Sequence, residues 1–284
     1  MRRFMFFFLC FALCAAFSNI TRQLEAQVGL IGHWTFNEGD GDVATDRSGN
    51  GHDGTLEGDP QWTGQGIRGG ALEFDGDGDY VQTTLDELQT ADNFTISAWF
   101  KANVTDTGQY HIMWIGDVGG NGWGSQSELH MTINHFRFSN KLSFYFGSGG
   151  ELDGTSINIV SLEDFTDTSD WHHIAGVIEN ANGPTVRGTL YLDGQVVEPF
   201  VDGFVNGDGD QFPTTDSADV PERDTWNTEF RIGQAGPAQR WFDGLIDDVR
   251  VYDRALSEDE VVQIVSVEPR GKLTTTWAAV KTVR

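Results

Sequence analysis

Two adjacent carboxylates, Asp247 and Asp248, stand in the segment Phe242-Asp243-Gly244-Leu245-Ile246-Asp247-Asp248-Val249-Arg250-Val251-Tyr252. Leu245, Val249 and Val251 alternate with polar neighbours, the pattern of a strand with one buried face. Ile246 and Asp247 interrupt that alternation, which predicts Asp247 on the buried side. A carboxylate placed there needs a partner, and a divalent cation would satisfy it. Upstream, Asp46-Arg47-Ser48-Gly49-Asn50-Gly51-His52-Asp53-Gly54 forms a second oxygen-rich turn. Calcium takes about 6–8 oxygen ligands and mixes carboxylates with the carbonyls that a glycine-rich turn presents. The two segments therefore predict a calcium ion tying together the ends of one domain. Asp46 and Asp247 would be side-chain ligands, with carbonyls around Asn50 and His52, and Glu38 or Asp248 completing the set. The plainer alternative leaves Asp46 as a turn former bonded to its own backbone and Asp247 as a strand-end cap.

Other chemistry finds little support. There is no Gly-x-Ser-x-Gly elbow, no helical His pair of the zinc-peptidase type and no phosphate-cradling glycine loop. Asp75-Gly76-Asp77-Gly78-Asp79 begins like a helix–loop–helix calcium site, but its sixth position is Tyr80 and its twelfth is Asp86. An Asp-Gly hairpin turn is the expected reading there. His172 and His173 are neighbours on a strand and must face opposite ways, so packing is expected rather than shared metal ligation.

The elements that would hold such groups are strands. Short runs rich in aromatic and β-branched residues recur between glycines, at Ile31–Phe36, Ala71–Phe74, Phe94–Phe100, His111–Ile115, Leu129–Ile133, Leu142–Phe146, His172–Ile178, Thr189–Leu192, Phe230–Ile232 and Leu245–Tyr252. That pattern predicts an all-β, two-sheet antiparallel sandwich in jelly-roll order, with first and last strands paired. One short C-terminal helix is expected, opened by a Ser257/Glu260 capping box and carrying Val261, Val262, Ile264 and Val265. Gly116–Gly124 and Asp202–Asn227 read as long loops, the usual place for binding on a rigid sandwich.

At the N-terminus, Arg2 and Arg3 precede an apolar run from Phe4 to Phe17. The run is shorter than the roughly 20 residues that span a bilayer, so residues 1–26 are expected to be a cleaved export signal ending near Ala26. Both cysteines, Cys10 and Cys14, lie inside it, so no disulfide would stabilise the exported chain. The folded domain is expected over 28–267, followed by a basic tail, 268–284, read as disordered in preference to a sorting segment. The chain carries 43 Asp and Glu against 18 Lys and Arg. This balance excludes the phosphate-neutralising surface that nucleic-acid binding requires, and no membrane span is expected once the signal is removed.

Several segments, in order, resemble the laminin-G-like, concanavalin A-like jelly-roll domains of secreted bacterial proteins. They are Gly32–Glu38, Asp46–Gly54, Gly70–Gly76, Phe94–Phe100, Trp171–Val177, Leu190–Gly194 and Phe242–Tyr252. The resemblance implies a sandwich, often with one calcium ion, serving glycan binding or adhesion at a cell surface. Trp123, Trp226, Trp241 and Trp114, in or near loops, are the expected ligand-binding residues, because an indole face can stack on a sugar ring. Anchoring of the loops is the alternative role for them. Glycoside hydrolases share this fold and need paired carboxylates. The nearest match to a glucanase Glu-x-Asp-x-x-Glu strand is Glu151-Leu152-Asp153-Gly154-Thr155-Ser156, which lacks the last acid. A non-catalytic binding module is therefore the expectation, with a protein-binding adhesion module as the alternative.

Overall fold

The computed structural model describes residues 27–103, 108, 110–116, 127–135, 138–148, 156–199, 204–205, 211–212, 217–218, 229–235 and 240–266. The signal segment, the basic tail, Trp123, Trp226 and Glu151–Thr155 lie outside the described residues.

Two antiparallel sheets form a sandwich. Numbered in chain order, the first sheet runs β14 (Gln195–Val196), β13 (Val186–Leu192), β12 (His172–Glu179), β7 (Phe94–Ala102), β21 (Asp243–Tyr252), β5 (Gly69–Asp75) and β4 (Gln61–Gly66). It is completed to nine strands by β1 (Leu30–Trp34) on β21 and β17 (Ser217–Ala218) on β13. The eight-stranded sheet runs β11 (Ser156–Val160), β10 (Phe138–Ser148), β9 (Ser127–His135), β8 (Tyr110–Gly116), β18 (Glu229–Ile232), β6 (Tyr80–Thr84), β3 (Gly54–Glu57) and β2 (Val43–Ala44). Two small ribbons pair β15 (Phe204–Val205) with β16 (Gln211–Phe212), and β19 (Gln234–Ala235) with β20 (Arg240–Trp241). The first strand pairs with the last, as the sequence predicts.

Between the sheets lies one apolar core. Ile96, Ala98 and Phe100 of β7 and Ile246, Val249 and Val251 of β21 face Met131 of β9, Phe144 and Phe146 of β10, and Phe230 of β18. Edge-to-face packing of Phe94 on Phe146, at 5.5 Å and 70°, joins the two layers. At Gly176 a Cβ would come within 2.6 Å of Phe144 and 2.5 Å of Met131, so the sheets approach there as only glycine permits.

Two sequence expectations change. On β21 the inward residues are Ile246, Val249 and Val251, whereas Asp247 lies on the outer face. The cause is a β-bulge: Asp247 pairs with Trp99 and Arg250 with Ser97, so one extra residue sits between them, and Asp248 takes φ +48°. The bulge resets the period of two, which simple alternation cannot anticipate. The Asp75–Asp79 turn is not a hairpin, since it passes from β5 in one sheet to β6 in the other. The Asp-Gly hairpin turn occurs instead at Asp193 (φ +51°) and Gly194 (φ +78°), between β13 and β14.

The helix α1 (Glu258–Ser266) covers the outer face of the nine-stranded sheet. Leu256, Val261 and Ile264 pack with Ala175, Val177, Tyr191 and Tyr252 in a second apolar cluster. Its capping box is formed: Ser257 N donates to Glu260 Oε2 at 2.9 Å and Glu260 N to Ser257 Oγ at 3.4 Å.

Candidate functional site

The Asp46 turn ties β1 to the β2–β3 connection, and therefore one sheet to the other. Asp46 Oδ1 accepts from the backbone N–H of His33 (3.0 Å) and Ser48 (2.8 Å). Its Oδ2 accepts from Ser48 Oγ (2.7 Å) and from the N–H of Gly51 (3.1 Å) and His52 (3.0 Å). Five donors occupy the lone pairs of one carboxylate. Burial alone would raise its pKa, but the bonds from Ser48, His52 and His33 outweigh that and hold it below the ordinary aspartate range. Gly49 (φ +94°) and Gly51 (φ +89°) supply the left-handed turns that aim those N–H groups inward. Asn50 Nδ2 donates to the carbonyls of Leu30 and Ile31, and the His52 carbonyl accepts from Trp34 Nε1 at 2.9 Å.

Asp248 is equally committed. Its carboxylate receives Arg250 Nε and Nη2 at 3.0 Å each, Arg68 Nη1 at 2.6 Å and His33 Nε2 at 2.7 Å. Burial opposes ionisation, yet Arg250, His33 and Arg68 together hold this carboxyl far below the usual range. Arg68 also donates to the Ile264 carbonyl at 2.6 Å, fastening the C-terminal turn of α1 to the bulge.

Asp247 differs. Its Oδ2 accepts from Arg68 N at 3.1 Å, while Oδ1 is buried without a partner. Burial, reinforced by the neighbouring Asp248 charge, pushes its carboxyl up to about 7. Glu38 holds Arg47 with Oε1 at 2.9 Å and also leaves a buried Oε2 unpartnered. Both orphan oxygens belong to segments packed on the Gly66–Gly70 turn, where Gly70 N donates to Asn37 Oδ1 at 2.7 Å. The carbonyl oxygens of Gly70 and Phe36 lie so close to Gly66 and Gly70 that neither glycine has room for a Cβ. Of the expected calcium ligands, then, Asp46 and Asp248 have spent their oxygens on hydrogen bonds, and the His52 carbonyl accepts from Trp34. Asp247 and Glu38 retain acceptor capacity. Among the described residues no group of three or more His, Cys, Asp and Glu side chains converges to hold a metal ion.

His172 and His173 face opposite ways, as adjacent strand residues must. His172 Nδ1 meets Asp193 Oδ2 at 2.8 Å, whereas His173 packs edge-on against Trp99 at 5.3 Å. Burial pushes His173 down to about 3, so it is neutral.

A second arrangement lies on the outer face of the eight-stranded sheet. Register places Thr55, Gln82, Arg231, Trp114, His130, Tyr145 and Asn158 directly opposite one another, strand by strand. This row carries no aliphatic side chain, and it descends from solvent into the protein. Thr55 is exposed, Gln82 and Arg231 are half-buried, and Trp114 through Asn158 are buried. At its mouth the Arg231 guanidinium lies 4.7 Å from the Tyr80 ring centre and 5.8 Å from that of Trp114. Arg231 Nε donates to Glu229 Oε1 at 2.6 Å and Nη1 to Gln234 Oε1 at 2.5 Å. Trp114 Nε1 donates to Glu128 Oε2 at 3.2 Å, and its indole lies over Gly116, where a Cβ would clash with it at 2.4 Å. Deeper, His130 stacks on Tyr145 at 4.9 Å and 16°. At the far end Asn158, 3% exposed, has an Oδ1 with no partner. Trp241 pairs with Gln234 in the β19–β20 ribbon, beside Arg231. Of the four expected tryptophans, Trp114 lies in this row and Trp241 in the adjoining ribbon. Trp114 reaches the row from a strand and not from a loop.

This sandwich is that of the concanavalin A-like lectin/glucanases superfamily, whose laminin-G-type family the sequence matches over residues 75–213 and 200–262. The chain belongs to that family. None of the curated protein sequences matches it. Among solved structures it is similar to domain 4 of AbnA, a GH43 extracellular arabinanase from Geobacillus stearothermophilus in complex with arabinotriose. The identity is 18%, the TM-score 0.56, and the match covers 83% of this chain and 98% of that one. The binding domain of Paraclostridial Mosquitocidal Protein 1 matches at 16% identity and TM-score 0.56, covering 84% of this chain and 52% of that one. A Trypanosoma rangeli sialidase bound to a difluoro sugar matches at 16% identity and TM-score 0.55, over 84% of this chain and 32% of that one. The chain therefore spans about half of the toxin domain and a third of the sialidase, and at these identities the likeness concerns the fold. Binding domains and glycoside hydrolases both use it.

Proposed function

We propose that the protein is an exported, non-catalytic glycan-binding module that takes its ligand in the recess on the outer face of the eight-stranded sheet. The observation that carries this is the cross-strand row from Gln82 to Asn158, with polar and aromatic groups where a purely structural sheet face would carry mixed surface residues. Sugars need that combination, apolar ring faces against aromatic planes and hydroxyls against fixed donors and acceptors. Tyr80 and Trp241 would meet the sugar at the mouth, Trp114 would floor the recess, and Asn158 Oδ1 would accept a hydroxyl. The arabinotriose bound to the related arabinanase domain agrees with this reading. Glu128 and Glu229 are the carboxylates of the recess, and each is held by a neighbour, Trp114 or Arg231. They serve here as hydrogen-bond partners. Residues 1–26 would direct export.

A structural calcium ion belongs to the same reading, relocated from the Asp46 turn to the Gly66–Gly70 turn. Asp247 and Glu38 would hold it, with the carbonyls of Phe36 and Gly70. The ion would supply charge compensation for a buried carboxylate and fix the start of β5.

Screening the mature protein on an oligosaccharide array, followed by calorimetric titration of the hits, tests the proposal. Tyr80→Ala should weaken binding about 3–10-fold, the worth of one aromatic contact, with an unchanged melting temperature. Release of reducing sugar from polysaccharides would contradict the non-catalytic role.

A further inference from the structure

His172 opens β12 at the point where the 161–171 connection from β11 and the β13–β14 turn meet. Its ring packs edge-on against Phe165 of that connection, at 5.1 Å and 82°, and lies 6.1 Å from Phe100 of β7. Each ring nitrogen faces a carboxylate from a different segment. Nδ1 lies 2.8 Å from Asp193 Oδ2 on the β13–β14 turn, and Nε2 lies 3.5 Å from Asp167 Oδ2 on the 161–171 connection. The second oxygen of each carboxylate is anchored. Asp193 Oδ1 accepts from the His173 N–H at 2.8 Å, and Asp167 Oδ1 accepts from Ser169 N and Ser169 Oγ at 2.8 Å each. Both acids therefore hold a fixed acceptor toward the imidazole. The nitrogens lie on opposite sides of the ring, so the three groups bracket the imidazole and do not converge on a common point.

An ionised carboxylate only accepts, so both nitrogens are satisfied together only when both carry hydrogen, in the imidazolium. Burial of the ring opposes that charge, but Asp193 and then Asp167 outweigh it and hold the His172 pKa above the ordinary histidine value. The other charges around this connection are turned elsewhere. Lys141 of β10 pairs with Asp164 at 2.7 Å, Glu163 and Asp170 are exposed, and Lys101 follows Phe100 on the opposite face of β7. The two contacts of His172 are unequal. The 2.8 Å contact at Nδ1 is a full hydrogen bond, whereas Nε2 is held to Asp167 by charge across 3.5 Å. Deprotonation therefore falls on Nε2, whose lone pair is then turned toward the Asp167 carboxylate, while Nδ1–H stays on Asp193.

We propose that His172 is a pH-sensitive latch: as the imidazolium it ties the 161–171 connection to the β13–β14 turn, and on deprotonation it releases the Asp167 arm and keeps the Asp193 arm. The connection joins β11, the edge strand of the eight-stranded sheet, to β12 of the other sheet, so the latch sets how firmly the sandwich is closed at that edge. Because the folded pKa lies above the unfolded one, the latch contributes fully below about pH 6.5 and is lost as pH rises through the folded value.

Imidazole 15N–1H correlation spectra of the mature protein, from about pH 5 to about pH 9, read the protonation state. The His172 signals are assigned by their loss in His172→Gln. His172 should titrate above about 6.5, and its neutral form should carry hydrogen on Nδ1. Amide hydrogen exchange, corrected for its intrinsic pH dependence, reads the connection. Across the titration the protection of Leu162 and Phe165, whose N–H groups donate to the Glu198 and Asn140 carbonyls, should fall about two- to fivefold, the worth of one half-exposed ion pair. Protection of Asp193, whose N–H donates to the His173 carbonyl, should not change. Asp167→Asn keeps an acceptor for Ser169 and should lower the His172 pKa and flatten the pH dependence at Leu162 and Phe165. A His172 pKa at or below about 6.5, a neutral form protonated at Nε2, or a connection equally protected on both sides of the titration overturns the proposal. A His172 titration unaltered by Asp167→Asn overturns it as well.

Discussion

Asp46→Asn separates a tie made of hydrogen bonds from one made by a metal ion. The wild-type carboxylate serves five donors, two on Oδ1 and three on Oδ2. An amide must turn its NH2 toward one of these sets. The less costly choice faces the N–H groups of His33 and Ser48, and it leaves those two without an acceptor. A donor stranded away from water costs about 1–3 kcal/mol. Asp46 is buried, so the exchange should lower unfolding stability by about 2–5 kcal/mol. Urea denaturation at pH 7, followed by tryptophan fluorescence, measures it, run once with excess calcium and once with chelator. The loss should be the same in both. The hydrogen bonds hold the Asp46 carboxyl below its unfolded value, so its contribution is full above about pH 4 and disappears as pH falls through the folded value. Wild type and variant should therefore converge in acid. A loss under about 1 kcal/mol, or one seen only with calcium present, would refute the reasoning.

Calcium should raise the melting temperature of the wild type, and Asp247→Asn should abolish that rise. In chelator the same exchange should be neutral or stabilising at pH 8. There the ion-free carboxyl, pushed up to about 7, is ionised at a cost to the folded state that vanishes as pH falls toward the unfolded value. A wild-type melt indifferent to calcium and chelator would remove the ion from the account. Asp248→Asn should be the most damaging single exchange near the bulge, at about 3–5 kcal/mol, because it leaves Arg68 and Arg250 as buried charges without a counter-ion. Denaturant titration of a variant that retains near-native stability would contradict that.

Much of the fold was legible because it rests on local pattern. Alternating apolar runs located most of the long strands, and the Ser257/Glu260 box located the helix. The two-residue strands were not legible, since a pair of residues carries no period. The bulge at Asp248 was hidden for a related reason: a single extra residue reverses every later side chain, and nothing local announces it. The hydrogen-bond saturation of Asp46 was foreshadowed by the Gly49 and Gly51 turn, but which donors converge depends on β1 arriving alongside. The recess was the least legible feature. Gln82, Trp114, Tyr145 and Asn158 are far apart in sequence and meet only through register across six strands. Trp114 was singled out as an indole near a loop, while Arg231 and Asn158 gave no signal of their own.

The most direct test of the central claim is a 19F NMR titration of protein labelled with 5-fluorotryptophan, using the oligosaccharide that binds most tightly. The Trp114 resonance, assigned by its loss in Trp114→Phe, should shift on saturation, while that of Trp62 on the edge strand of the other sheet stays in place. Saturable binding that leaves the Trp114 resonance unmoved would contradict the assignment of the recess as the ligand site.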